Sequence, residues 1–194
     1  MRTIFHNIGS IQTMDEKNSL LEGKSIIVKN NIIEDIVDSI EEFESSDVEF
    51  VDVREHAIVP GFIDAHNHLV WAGDRFNEHR LRMQGNTYAD IANMGGGIMQ
   101  TVHSTRNATD QQLYTIGMQR LQQALQNGVT FLEAKSGYGL STKEELRLLN
   151  IVDRLKNESN LPSIHSTWMG AHAVTPSHTY ASYTEEILSE QLLF

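Results

Sequence analysis

The chain has 194 residues, of which 40% are hydrophobic and 21% charged, a composition typical of a globular protein and not of a disordered tail. Its formal net charge of −11 argues against nucleic acid as a partner, because binding to a phosphate backbone depends on clustered lysines and arginines. The absence of cysteine excludes disulfides and thiolate ligands, so any metal site must use histidines, carboxylates and water.

Residues 1–7 lack the apolar stretch that is found in a secretion signal. No other segment approaches the roughly 18 to 20 consecutive apolar residues that a membrane-spanning helix requires. We therefore expect a cytoplasmic protein that has no membrane partner.

Short β-rich segments separated by polar turns make up residues 1–58. Residues 25–29 and 31–37 are predicted to be the two strands of a hairpin, with a polar turn between them. Residues 41–47 are acidic, and we expect them to form a solvated loop without a functional role. The pattern changes at the end of this region, where we place a domain boundary.

From residue 59 onward, buried-looking strands alternate with helical patterns, which is typical of βα units around a parallel sheet. The predicted strands are residues 59–68, 129–135 and 164–169. The connection between the first two contains a short predicted helix at about residues 87–94, followed by three glycines. Long connections after a strand are where α/β enzymes place their sites. The sequence therefore predicts an α/β fold with its functional groups at strand ends.

Two longer amphipathic helices are predicted to cover this sheet. The first begins at a capping box formed by Thr109 and Gln112 and ends at Gly128, which can adopt the left-handed closing conformation. The second begins at a capping box formed by Ser141 and Glu144. The residues expected to face the sheet are Leu113, Ile116, Leu121, Ala124 and Leu125 in the first helix and Leu146, Leu149, Val152 and Leu155 in the second.

His66 and His68 come at the end of the first predicted strand of this sheet. Side chains two residues apart on a strand point the same way, so both imidazoles can bind one metal ion. Arg75 follows seven residues later and carries a guanidinium to the same end of the strand, where a metal beside a fixed arginine suits a small anionic substrate. On the spacing alone, two surface or hydrogen-bonded histidines are an equal alternative.

Tyr138 and His172 follow the next two predicted strands. Glycines on either side of Tyr138 could bring the backbone close to a ligand, although a turn with a surface tyrosine fits equally well. His172 lies between small residues and could hydrogen-bond a polar substrate or serve a structural role. Glu133 and Lys135 share one face of a strand and are expected to form an ion pair. The remaining histidines are expected to be structural or solvated; they are His6, His56, His79, His103, His165 and His178.

Residues 59–68, Val-Pro-Gly-Phe-Ile-Asp-Ala-His-Asn-His, resemble the first barrel strand of the amidohydrolase superfamily. Later segments narrow this resemblance to the imidazolonepropionase family; they are Trp-Ala-Gly-Asp-Arg at 71–75, Gln-Gly-Asn-Thr-Tyr-Ala-Asp-Ile at 84–91, Gly-Gly-Gly-Ile at 95–98, Lys-Ser-Gly-Tyr-Gly-Leu at 135–140 and Gly-Ala-His-Ala at 170–173. The resemblance implies that residues 59–194 form the first half of a TIM (β/α)8 barrel of the metal-dependent hydrolase type. It also implies, by general pattern only, that residues 1–58 form part of a small β-sandwich domain.

The resemblance further implies an activity, the hydrolysis of the cyclic amide of 4-imidazolone-5-propanoate to N-formimino-L-glutamate in histidine degradation. By this resemblance, His66 and His68 would bind one zinc or iron ion, which lowers the pKa of its water for attack on the ring carbonyl. Arg75 would bind the propanoate carboxylate, which makes a small carboxylate-bearing molecule the partner. Tyr138 would contact substrate or product, and His172 would hydrogen-bond the ring. A homodimer is implied for the full-length protein.

The chain departs from the family pattern at its carboxyl end. A complete (β/α)8 barrel takes about 250 residues, whereas residues 60–194 supply 135, and residues 184–193 are predicted to begin another helix. The family takes a further metal-binding histidine, a metal-binding aspartate and an acidic proton-transfer group from later strands. We therefore expect the catalytic residue to lie beyond Phe194. We also expect the truncated chain to be inactive, because catalytic metals commonly have three protein ligands.

Two alternatives to this activity stay open. The chain could be another amidohydrolase-superfamily deaminase or cyclic amidohydrolase, which would not need a carboxylate clamp at Arg75. It could instead be a non-catalytic incomplete barrel that associates with a partner chain, since an open sheet edge favours self-association. Within the family pattern, Tyr88 is a further candidate for the pocket wall. Lys135 lies at a strand end, where some amidohydrolases carry a carbamylated lysine that bridges two metals.

Overall fold

The computed structural model describes residues 1–43 and 48–193. The chain divides into two compact units, Met1–Pro60 and Gly61–Phe194. The acidic segment that is predicted to form a solvated loop lies partly outside the described residues. No helix in the described part of the chain has the length and hydrophobicity needed to cross a membrane.

The first unit consists of short strands in two sheets. Its described strands are β1 (Arg2–His6), β2 (Ser10–Gln12), β3 (Leu20–Leu21), β4 (Ser25–Lys29), β5 (Ile32–Val37), β6 (Val48–Asp52) and β7 (Ala57–Ile58). The larger sheet has the order β5-β4-β1-β6, and the smaller has the order β3-β2-β7. The predicted hairpin of β4 and β5 is confirmed. Asn30 and Asn31 form its two-residue turn at φ values of 53° and 62°, which asparagine tolerates better than most residues.

The second unit is built on a three-stranded parallel sheet with α-helices in the connections. Its described strands are β8 (Phe62–Asn67), β9 (Val129–Lys135) and β10 (Ser163–Thr167), in the order β10-β9-β8. Its described helices are α1 (Phe76–Met83), α2 (Tyr88–Asn93), α3 (Ile98–Asn107), α4 (Asp110–Gln126), α5 (Thr142–Lys156) and α6 (Tyr180–Ser189), with single 3-10 turns at Gly170–His172 and Gln191–Leu193. This arrangement confirms the predicted α/β class.

Helices α4 and α5 pack on the sheet through one apolar core. Leu113 and Leu121 from α4 meet Leu132 from β9, and Leu148 and Leu155 contribute from α5. Each of these side chains is almost fully buried, and burial of a leucine side chain contributes about 1.5–3 kcal/mol. The core therefore holds the strands in place below the edge where their carboxyl ends meet.

The predicted capping residues explain the ends of helix α4 and, in part, the start of helix α5. Thr109 caps α4 through the predicted capping box, and Gly128 follows that helix at a φ of +83°. Ser141 is the N-cap residue of α5, but its side chain makes no capping hydrogen bond, so the predicted box with Glu144 is wrong. Glu144 instead forms an ion pair with Arg147, with 2.9 Å between its carboxylate oxygen and the guanidinium nitrogen.

The buried face of α5 differs from the predicted stripe by about one residue. Leu146 is 39% exposed, and on α4 the predicted core residue Leu125 is 40% exposed. The buried residues of α5 are Glu145, Leu148, Ile151, Val152 and Leu155. Glu145 lies on the inner face of α5. Hydrophobic periodicity places only apolar residues on such a face, so it cannot predict a buried glutamate.

The connection between β8 and β9 contains more helix than the sequence predicts. The predicted short helix is confirmed as α2, which Thr87 and Asp90 cap with a capping box. Helices α1 and α3 on either side of it were not predicted. Helix α6 begins at Tyr180, earlier than predicted, because Thr179 and Ser182 form a capping box that the sequence analysis did not recognise.

Candidate active site

The carboxyl ends of the three parallel strands bring four of the predicted site residues together. His66 belongs to β8, His68 follows it, Tyr138 follows β9, and His172 ends the 3-10 turn after β10. The ring of His68 lies at the centre of the group. Its centre is 6.0 Å from that of His66, 4.8 Å from that of Tyr138 and 4.8 Å from that of His172.

His66 and His68 have a separation that suits a shared metal ion. Two imidazoles that each place a nitrogen about 2.1 Å from one ion have ring centres roughly 5 to 6.5 Å apart, and these rings are 6.0 Å apart. Asp64 holds the end of the strand, because its carboxylate accepts hydrogen bonds from the backbone N–H of His66 at 3.1 Å and the side-chain amide of Asn67 at 2.9 Å. The pair is therefore presented by an ordered piece of backbone.

The surroundings of His68 favour the neutral form of its imidazole, which is the form that binds metals. Burial lowers the pKa of its imidazole, the positive charge that His172 and His66 can carry lowers it further, and the Ser136 backbone opposes these effects. A neutral imidazole has a free nitrogen lone pair, which is the form that a metal ion requires. The Nδ1 atom of His68 is buried and has no hydrogen-bond partner among the described residues. The chemistry of this residue therefore fits a ligand role.

The described residues supply two imidazoles and not a full set of ligands. Within residues 1–43 and 48–193, no group of three or more histidine, aspartate or glutamate side chains is arranged to hold a metal ion. Catalytic zinc sites commonly have three protein ligands. His66 and His68 therefore fit one part of a metal site.

Hydrogen bonds join the loop after β9 to the loop after β10. The Ser136 N–H donates to the carbonyl of Thr167 at 2.9 Å, and the Met169 N–H donates to Oγ of Ser136 at 2.8 Å. His172 contributes a third connection, because its Nδ1 lies 2.9 Å from the carbonyl oxygen of Gly137. Gly137 has a φ of +111°, and a Cβ there would lie 3.0 Å from the His172 ring, so this position requires glycine. The two loops form one ordered wall.

Arg75 is held by an acidic neighbour that the sequence analysis overlooked. Its Nε and Nη2 atoms donate to one carboxylate oxygen of Glu78 at 2.8 and 2.6 Å. The hydrogen bond to Glu78 raises the pKa of Arg75, and the phenols of Tyr88 and Tyr138 add to this effect. Glu78 is buried, and its other oxygen accepts a hydrogen bond from the Gly97 N–H at 2.6 Å. The guanidinium therefore has a fixed orientation.

The structure does not place Arg75 in the cleft that the histidine pair lines. Arg75 lines a separate cleft of about 260 Å³ with Glu78, His79 and Arg82. The histidine cleft measures about 520 Å³, and its lining includes Asp64, His66, Asn67, His68, Trp71, Arg120 and Tyr138.

Arg120 is a site residue that sequence reasoning missed. Its guanidinium lies 4.0 Å above the ring of Trp71 and donates to the carbonyls of Leu69 at 2.7 Å and Trp71 at 3.0 Å. Burial lowers the pKa of Arg120 to about 10. The residue therefore holds the segment between the histidine pair and Arg75. The sequence does show an arginine on the inner side of an amphipathic helix. The carbonyls that it binds lie about fifty positions away in the chain, so they could not be identified from local sequence.

Two smaller predictions are confirmed. Lys135 and Glu133 form the predicted ion pair, with 2.7 Å between Nζ and the carboxylate. Thr167 adds a hydrogen bond to the same carboxylate at 2.7 Å. His178 has a structural role, because it contacts Glu186 at 3.1 Å and Oγ1 of Thr175 at 2.9 Å.

Comparison with curated proteins identifies relatives that are named imidazolonepropionase. No protein-family model matches the chain. The probable imidazolonepropionase of Dictyostelium discoideum is 37% identical over 174 residues, which cover 88% of this chain and 41% of that protein. The imidazolonepropionase of Clostridium tetani is 39% identical over 174 residues, with the same coverage of 88% and 41%. The chain therefore spans about two fifths of the length of the curated relatives that it matches.

Comparison with solved structures supports the fold. The atrazine chlorohydrolase of Arthrobacter aurescens TC1, crystallised with zinc, matches with a TM-score of 0.63 at 15% identity. The match covers 86% of this chain and 35% of that one. At so low an identity the likeness concerns the fold alone.

Proposed function

Since the chain belongs to the imidazolonepropionase family, we propose that its second unit supplies part of a hydrolytic site. The reaction is the opening of the cyclic amide of 4-imidazolone-5-propanoate to give N-formimino-L-glutamate, a step of histidine degradation. The observation that carries this proposal is the convergence of His66, His68, Tyr138 and His172 at the ends of parallel strands. The relatives are more than twice as long as the chain, so we assign it a part of the site.

We propose that His66 and His68 hold one zinc or iron ion. Such an ion, when bound, would supply the nucleophile by lowering the pKa of a water molecule. Three observations support this role: the separation of the two rings, the lowered pKa of His68 and its unpartnered Nδ1. The zinc that accompanies the matched chlorohydrolase adds support for a metal, although not for its identity.

The substrate would be bound by Arg75, which lines the second cleft, and by the groups around the histidine pair. Arg75 would bind the propanoate through Nη1, because Glu78 engages only its Nε and Nη2 atoms. The phenol of Tyr138 and the ring of His172 would contact the imidazolone, since both rings pack against His68.

The finer architecture, assembly and location belong to the same proposal. The alternation of parallel strands and helices in the second unit supports its assignment as the first half of a (β/α)8 barrel. The two sheets of the first unit support its assignment as part of a small β-sandwich domain. A cytoplasmic location and a homodimer complete the proposal.

The proposed metal role predicts that the chain binds zinc through its histidine pair. Replacing His66 or His68 with alanine should lower zinc affinity by at least about tenfold, because each supplies one of the two described ligands. His103→Ala removes an exposed histidine on α3 and should leave the affinity unchanged. Isothermal titration calorimetry with Zn²⁺ measures these affinities. Equal affinity in the wild type and both site variants would contradict the metal role.

We expect no turnover of 4-imidazolone-5-propanoate by the 194-residue chain. The described residues bring only two ligands to the metal, whereas catalytic metals commonly have three. Formation of N-formimino-L-glutamate, measured with zinc or iron supplied, checks this expectation. Metal-dependent hydrolysis by this chain would show that the described residues suffice for the reaction.

A further inference from the structure

We propose that Glu145 is a positioning residue, whose buried carboxylate holds the loop at residues 136–140 so that the Gly137 carbonyl sets the tautomer of His172. The inference deepens the proposed function and rests on it for the identity of the substrate. The geometry that it invokes lies wholly within the second unit. It links the first turn of α5 to the Nδ1 atom of His172.

Glu145 is fully buried, at 0% exposure, and its carboxylate accepts hydrogen bonds from backbone N–H groups. Oε2 accepts a hydrogen bond from the Gly137 N–H at 2.9 Å. Oε1 accepts hydrogen bonds from the N–H groups of Gly139 at 2.8 Å and Leu140 at 2.7 Å. A carboxylate that receives three backbone donors satisfies groups that would otherwise be buried without partners. Glu145 therefore determines the path of the loop.

A second side chain holds two carbonyl groups of this loop. Arg106 donates from Nε to the carbonyl of Gly139 at 2.8 Å and from Nη2 to the carbonyl of Leu140 at 3.1 Å. A Cβ on Gly139 would lie 2.6 Å from backbone atoms of Glu144 and Glu145, so the loop is in direct contact with the first turn of α5. The loop cannot move away from Glu145 without losing this packing.

Gly137 connects the Glu145 carboxylate to His172 through its two backbone groups. Its N–H donates to Glu145, and its carbonyl oxygen lies 2.9 Å from Nδ1 of His172. A carbonyl oxygen can only accept a hydrogen bond, so Nδ1 must carry the hydrogen. In a neutral imidazole the other nitrogen, Nε2, then has the free lone pair. In its neutral form His172 is therefore an acceptor at Nε2.

This assignment gives His172 a defined task in the proposed reaction. Its ring is stacked on His68, with 4.8 Å between centres, and lies 5.4 Å from the ring of Tyr138. An acceptor at Nε2 can receive a hydrogen bond from a ring N–H of an imidazolone, whereas the opposite tautomer would offer a competing donor. Glu145 would influence substrate binding without touching the substrate.

Nitrogen-15 NMR of the 194-residue chain tests the proposal without substrate. Long-range proton–nitrogen correlation spectra at a pH where the imidazoles are neutral distinguish a protonated from an unprotonated ring nitrogen. We expect wild-type His172 to carry its hydrogen on Nδ1, with the signal assigned by its loss in His172→Gln. In Glu145→Gln one amide hydrogen must face a backbone N–H group, so the loop and the Gly137 carbonyl should lose their fixed position. His172 should then change largely to the tautomer protonated at Nε2.

Glu144→Gln is the matched control, because Glu144 precedes Glu145 on α5 but pairs with Arg147. Its spectrum should keep the wild-type tautomer. Glu145→Asp retains the carboxylate with a shorter reach, and we expect a mixture of tautomers. It replaces Glu145→Gln in the test if that variant does not fold.

Two outcomes would overturn the proposal. One is a wild-type His172 that is protonated at Nε2, a result that needs no variant. The other is an unchanged tautomer in a folded Glu145 variant. Neither outcome concerns the substrate, so failure here is distinct from failure of the proposed function, which ligand binding at Arg75 tests.

Discussion

Replacing Arg75 with methionine is expected to weaken binding of imidazole-4-propanoate to the zinc-supplied chain by about 10- to 100-fold. A hydrogen bond between charged groups contributes about 1.5–3 kcal/mol, and methionine keeps the length of the side chain but loses this interaction. Binding of 4-propylimidazole, which lacks the carboxylate, should not change. Isothermal titration calorimetry with both ligands measures the difference.

Arg82→Met is the matched control, since Arg82 lines the same cleft and makes no ion pair with Glu78 in the described structure. Both ligands should bind Arg82→Met with the same affinity as the wild type. Arg75→Met leaves the buried Glu78 without its partner, so thermal unfolding must show that the variant is folded. Equal weakening of both ligands would favour another amidohydrolase, one that does not recognise a carboxylate.

The convergence of the site was predictable because it depends on a general property of parallel sheets. Groups that follow the carboxyl ends of neighbouring strands meet at one edge. His68, Tyr138 and His172 were each assigned to such an end, and the structure places their rings in contact distance.

The environment of Arg75 was not predictable from local sequence. Glu78 faces Arg75 because Gly97, on a separate segment, donates its N–H to the second carboxylate oxygen. Arg120 was missed for the same reason, because its targets on Leu69 and Trp71 come from another part of the chain. Contacts of this kind depend on tertiary structure, which periodicity and capping patterns do not describe.

The fold was most predictable where one local signal was sufficient. Strand β9 has the predicted bounds, and the cap of α4 is the predicted one. Val152 and Leu155 of α5 are buried as predicted, but the stripe is wrong at Leu146, which is 39% exposed, because the neighbouring inward position is taken by a glutamate, Glu145. Its partners are backbone N–H groups of a preceding loop, which no pattern of side chains reveals.

The observed face of α5 predicts a large difference between two leucines of one helix. Leu148→Ala should lower the free energy of unfolding by about 2–5 kcal/mol, because the side chain is 1% exposed and its removal leaves a cavity. Leu146→Ala should cost less than about 1 kcal/mol, since its side chain is 39% exposed. Urea unfolding followed by circular dichroism measures both values.

The two variants make a controlled pair because the same replacement is made twice within one helix. Any change in intrinsic helix propensity is common to both, so the difference between them reports burial. Comparable losses, or a greater loss at Leu146, would support the stripe predicted from sequence and contradict the observed face. Leu148 lies three residues after Glu145, and residues at this spacing share a helix face. A large loss at Leu148 alone would therefore also place Glu145 inward, towards the loop that carries Tyr138.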